Sequence, residues 1–229
     1  MKKPLKEKLQ IEKKHIILCE VMDDERFLCN FLSYSLEDKF SAIQVINVMG
    51  VENIPEAIAL LPVAGGFENL KSLVIVIDSD DNPQGASESI QRALRECKLP
   101  VPSRPCQLVH SDDSCDHTQL SVGYALFPGL DQECMPGALE DLCLEILSDR
   151  PNVNKNALMD IVNESIKKAE DLNRPFRCKH KNRLHTYFSL SNEFVGAKIG
   201  GAAGSNAFDF SAGVFAPLKD LIERCLQND

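Results

Sequence analysis

His15-Ile16-Ile17-Leu18-Cys19-Glu20 and Leu73-Val74-Ile75-Val76-Ile77-Asp78-Ser79-Asp80 decide the fold, because in each an unbroken apolar run stops at an acid. Such a run, rich in Ile and Val, reads as a strand covered on both faces, the situation of a parallel sheet between layers of helices. Ligands of open α/β sheets bind beyond the carboxyl ends of the strands, so neighbouring strands ending this way would gather Glu20, Asp78 and Asp80. Carboxylates crowded there repel unless a cation lies among them, and a hard divalent ion, Mg²⁺ or Mn²⁺, suits such oxygens.

The segments around these runs supply the alternation that a parallel sheet needs. Phe27, Leu28, Phe31, Leu32 and Leu36 recur at helical spacing after Asp23 and Asp24, predicting a helix to Phe40. Ala42 to Val48 reads as a strand, Pro55 to Leu61 as a short helix, and Asp81-Asn82-Pro83 as the start of a helix ending before Pro100. A short strand near 107–110, a buried strand from Val122 to Phe127 and a helix from Ala138 to Leu147 follow. The order predicts α/β architecture: a central, mainly parallel sheet with helices on both faces.

Arg150-Pro151-Asn152 marks the clearest boundary. The expected organisation is a basic leader over 1–14, an α/β domain over 15–150 and a C-terminal helical extension over 151–229 packed on it. Leu158, Ile161, Val162 and Ile166 predict an amphipathic helix; Leu184 to Leu190 fits helix and strand periods alike; Gly196 to Ser205 reads as a flexible loop; Val214 to Leu226 reads as a helix.

Composition narrows the setting. The 229 residues, 44% hydrophobic and 26% charged, suffice for a sizeable core. Nine cysteines, an odd number with no CxxC pair, suggest reduced thiols and a cytoplasmic protein. No apolar run reaches the ~18 residues of a membrane helix, so no membrane partner is expected. A net charge of −9 disfavours general attraction to polyanions, which leaves two basic segments to consider. One is the leader, with six lysines between Met1 and Lys14; the other runs through Arg174, Arg177, Lys179, His180, Lys181, Arg183 and His185. Folded over the acidic crevice, the second would contact nucleic-acid phosphates; otherwise it is a solvated helix surface. His110, His117, His180 and His185 have no cysteine spacing that would suit zinc.

Glu20 at a strand end, Asp24 four residues on and Asp78-x-Asp80 after an apolar strand together resemble the TOPRIM domain, the Rossmann-like metal-binding module of topoisomerases, primases and OLD-family nucleases. Ile17 to Leu28 looks like the OLD-like branch. Within that branch, Gly50, Phe127-Pro128, Gly137-Ala138-Leu139-Glu140-Asp141 and Lys181-x-Arg183-Leu184-His185-Thr186 look like features of a small stand-alone family. The resemblance implies Mg²⁺ or Mn²⁺ on Asp78, Asp80 and Asp24, with Glu20 as a further ligand or a proton carrier, and Mg²⁺-dependent hydrolysis of nucleic acid. Lys181 or Arg183 would stabilise developing charge, while Arg177, Lys179, Lys181, Arg183 and His185 would hold the substrate. Glu140 could add a metal ligand, or could simply favour the N-terminus of its helix. Val21 departs from the pattern, which has glycine directly after the glutamate, and a β-branched side chain there is expected to narrow the site.

Two other classes fit parts of the sequence. One is a non-enzymatic regulatory or interaction module with a degenerate site, such as a regulator or toxin-system partner; on any of these readings a homodimer is a candidate assembly. The other is a receiver-like phospho-accepting domain, with Asp23-Asp24 as its acidic pair and Asp78 as acceptor, although no lysine-proline follows where that class has its phosphate-binding lysine.

Overall fold

The computed structural model describes residues 9–111, 120–130, 135–147, 154–172 and 175–227. Five strands form one sheet: β1 (His15–Cys19), β2 (Ile43–Asn47), β3 (Ser72–Asp78), β4 (Val109–His110) and β5 (Ser121–Phe127), in the order β2-β1-β3-β5-β4. β1 pairs in parallel with β2 and β3, and β3 with β5, while the two-residue β4 runs antiparallel on the β5 edge. The chain leaves β1 for β2 on one side and returns to β3 on the other, so the topological switch point lies between β1 and β3. That crevice is where open α/β sheets bind ligands.

The helices are α1 (Met22–Leu36), α2 (Ile54–Leu60), α3 (Pro83–Glu96), α4 (Leu139–Glu145), α5 (Lys155–Leu172), α6 (Lys179–Leu190), α7 (Ile199–Gly204) and α8 (Ala216–Leu226). Alternate strand residues face opposite layers. Leu18, Ile75 and Tyr124 pack with Ile54 and Ile58 of α2 and Ile90 and Leu94 of α3. Ile17, Val74 and Ala125 pack with Phe27 and Phe31 of α1 and with Val162, Leu184, Ala202 and Leu221 of the later helices. The chain after residue 154 thus shares a core with α1, and Phe31 stacks on Phe215 at a centroid distance of 4.6 Å.

Several expectations change on folding. The first helix ends at Leu36 and passes into a 3-10 segment, Glu37–Ala42, instead of reaching Phe40. The ambiguous Leu184 to Leu190 stretch belongs to a helix. Gly196 to Ser205 is not a loop throughout, since Ile199–Gly204 is helical and lies against α1. Its glycine permits the approach: a Cβ on Gly200 would stand 2.5 Å from Cβ of Arg26. Among the described residues, no helix is long and apolar enough to cross a membrane. Residues 1–8 of the basic leader, His117, the 150–152 boundary and Arg174 lie outside the described residues.

Candidate functional site

Glu20 directly follows β1 and Asp78 ends β3, on adjacent strands whose last paired residues are Cys19 and Val76. Glu20 Oε1 accepts the backbone N–H of Asp78 at 2.8 Å, and Asp78 Oδ1 accepts that of Leu139 at 2.8 Å. The two acids therefore link β1 to β3 and β3 to α4 through the main chain. Asp24, only 6% exposed, sits in the first turn of α1 and accepts the N–H of Val21 at 3.1 Å. At α4, Asp141 accepts the N–H of Ala138 at the same 3.1 Å and the same spacing. Neither Val21 nor Ala138 has a side-chain acceptor, so each helix start is held by the acid three residues on.

Asp80 is exposed, with a left-handed φ of 46°, and its carbonyl accepts the N–H of Gly137 at 2.7 Å. Gly137 has a φ of +137°, and a Cβ there would meet Oδ2 of Asp141 at 2.7 Å, so this turn requires glycine. Buried Ser79 places its Oγ 2.5 Å from the carbonyl oxygen of Met135 and 3.1 Å from that of Gly137, which fixes the same turn.

Burial and like charge act together on these acids. Burial raises Glu20 to about 7, with Asp24 and Asp80 adding to the rise while the Asp78 amide and Lys181 oppose it. Burial likewise raises Asp24 to about 6 against the Val21 amide, with Glu140 and Asp23 contributing further. Asp78 is pushed well above the usual carboxylate range by burial and by Glu20, Asp24 and Glu140. Full ionisation of these acids is therefore opposed by burial and by their neighbouring charges.

The basic segment divides. Lys181 places Nζ 3.8 Å from Oε1 of the buried Glu140. Arg183 meets Asp141 at 3.5 Å and donates to Asn163, and Lys179 meets Glu170 at 2.8 Å. Arg183, Lys179 and His180 line a cavity of about 540 Å³ that also touches Asp81, Gly137 and Asp141. Arg177 and His185 are exposed.

A family model described as "Protein of unknown function (DUF3226)" matches residues 14–227. The chain belongs to this family. No curated protein matches it. Among solved structures, the C-terminal region of the Burkholderia pseudomallei OLD protein is similar at 16% identity, over 96% of this chain and 100% of that one, with a TM-score of 0.48. The C-terminal region of the Xanthomonas campestris pv. campestris OLD protein is similar at 14% identity, over 95% of this chain and 97% of that one, with a TM-score of 0.43.

In this DUF3226 chain the donors suit a hard divalent ion in kind, all of them carboxylate oxygens around one crevice. Among the described residues, no three His, Cys, Asp or Glu side chains are gathered closely enough to ligate one ion together. Mg²⁺ retains several waters and needs only one or two direct carboxylates, so Glu20 and Asp78, at the ends of the adjacent strands β1 and β3, are residues that could hold it. Sequence reasoning missed the partners that orient the basic residues: Asp141 and Asn163 for Arg183, and Glu170 for Lys179. The signal for Asp141 was present, since Ala138-x-x-Asp141 repeats the spacing of Val21-x-x-Asp24.

Proposed function

We propose that the crevice between β1 and β3 binds a divalent cation, Mg²⁺ or Mn²⁺, and that the protein acts on phosphodiester or phosphate bonds of nucleic acid. The observation that carries this reading is the placement of Glu20 and Asp78 at the ends of the adjacent strands β1 and β3, at a topological switch point, where burial and neighbouring acids raise both and a bound cation would relieve burial and like-charge repulsion at once. Asp78 and Glu20 would hold the ion, with Asp24, Asp80 and Glu140 oriented toward its waters. Such an ion supplies charge neutralisation on a phosphoryl group and an activated water. Were Asp78 alone to hold the ion directly, Glu20 beside it would be placed to carry a proton instead. Lys181 is available to phosphate oxygens at the rim, and Lys179 and Arg183 flank the adjoining cavity, where a neighbouring phosphate would lie. The resemblance of the Glu20, Asp24 and Asp78-x-Asp80 pattern to TOPRIM nucleases points the same way.

The test is incubation of single- and double-stranded DNA and RNA with the protein in Mg²⁺, in Mn²⁺ and in chelator, alongside Asp78→Asn. Metal-dependent cleavage that is lost in the variant is expected. A second reading, ion binding without turnover in a regulatory module, is favoured by the absence of three gathered ligands among the described residues. Mn²⁺ binding with no cleavage of any of these substrates would select it.

A further inference from the structure

Lys181 lies in the first turn of α6 and reaches across to the first turn of α4. Its side chain is 53% exposed, whereas that of Glu140, 3.8 Å away, is 9% exposed. The acid is thus fixed in the wall of the crevice, and the lysine comes to it from solvent on a flexible stem. The neighbouring basic residues are turned elsewhere, Lys179 to Glu170 and Arg183 to Asp141 and Asn163. Glu20, Asp24 and Asp78 are each tied to a backbone amide, and among the described residues the ion pair made to this group of acids is that of Lys181 with Glu140.

We infer that Lys181 is the internal counter-ion of the carboxylate crevice, seated on Glu140 until a divalent ion displaces it; this rests on the metal-binding reading above. The electrostatics agree. Burial alone would lower the pKa of Lys181, yet Glu140, Asp78, Cys178 and Asp24 together hold it above the usual lysine value. Glu140, Asp78 and Asp24 are among the carboxylates that a divalent ion in the crevice would neutralise, so lysine and metal compete for the same negative potential. Displacement is easy, because a half-exposed ammonium returns to water at little cost. Lys181 therefore weakens metal binding in the resting protein, and the ion, on arriving, frees a cation at the rim of the crevice.

Mn²⁺ affinity, measured on the intact chain by electron paramagnetic resonance and calorimetry, tests this. Lys181→Met keeps the stem and removes the charge, and it should bind Mn²⁺ about two- to fivefold more tightly than wild type, the range open to a half-exposed ion pair. Lys181→Arg should match wild type. So should Lys168→Met, which removes one charge from an exposed pair with Glu164. Should Lys181→Met fail to give a cooperative melt, Lys181→Gln takes its place with the same expectation. Equal or weaker affinity without the lysine charge overturns the inference and leaves the metal reading standing. Equal tightening in Lys168→Met also overturns it, since net charge would then be the cause. No Mn²⁺ binding to wild type or to any variant overturns both.

Discussion

The carboxylate of Glu20 and the backbone N–H of Asp78 are joined by a 2.8 Å hydrogen bond that continues the β1–β3 ladder past its last residue pair. A candidate site acid is thereby also a main-chain clasp. Glu20→Gln and Glu20→Ala separate the two roles. The glutamine retains an acceptor and sheds a buried charge, so in chelator at pH 8 it should melt above wild type. The alanine loses the clasp and should fall below the glutamine variant by about 1 kcal/mol in urea denaturation.

Stability of the metal-free protein should fall as pH rises. Glu20 and Asp24 hold protons more tightly when folded, at about 7 and about 6 against ordinary values of 4.5 and 3.8. Between roughly pH 4 and pH 7 the folded chain therefore carries more protons than the unfolded one, and each pH increment favours unfolding. Denaturation in chelator should show a loss on the order of a few kcal/mol between pH 5 and pH 8. Saturating Mg²⁺ should flatten that slope, because the ion stabilises the ionised forms.

Mg²⁺ or Mn²⁺ should raise the melting temperature of wild type at pH 8 and leave that of Asp78→Asn/Asp80→Asn unchanged, since an ion bound only by the native crevice stabilises by mass action. An equal rise in both would assign the effect to scattered surface acids.

Gly200 and Gly201 should respond to alanine in opposite directions. A Cβ on Gly200 meets Cβ of Arg26 at 2.5 Å, so Gly200→Ala should destabilise by about 1–3 kcal/mol through overpacking. Gly201 has nothing within 4 Å of its would-be Cβ, and Gly201→Ala should stabilise by about 0.5–1 kcal/mol. Thermal melts of the two single variants suffice.

What was legible in the sequence was what depends on local pattern. The runs 15–19 and 73–77 are apolar on both faces and end abruptly, so strand identity, strand direction and the placing of Glu20 and Asp78 at the carboxyl edge follow from the pattern itself. Gly196 to Ser205 was misread because glycine disfavours helix locally, and what makes Ile199–Gly204 helical is contact with α1, over which only a residue without a Cβ fits beside Arg26. The direction of each basic side chain was hidden for a similar reason. Lys179, Lys181 and Arg183 are alternate residues on one helix, and their partners come from other helices: from α5 for Lys179, nine residues back, and from the distant α4 for Lys181 and Arg183.

Val21 has extended backbone, with φ −133° and ψ 173°, and the residue is 42% exposed. The turn after Glu20 therefore accepts any L-residue other than proline without strain, and the bulk at position 21 is decoupled from the integrity of the sheet. Residue 21 is thus a position at which side-chain bulk beside Glu20 can change while the scaffold beneath stays as it is.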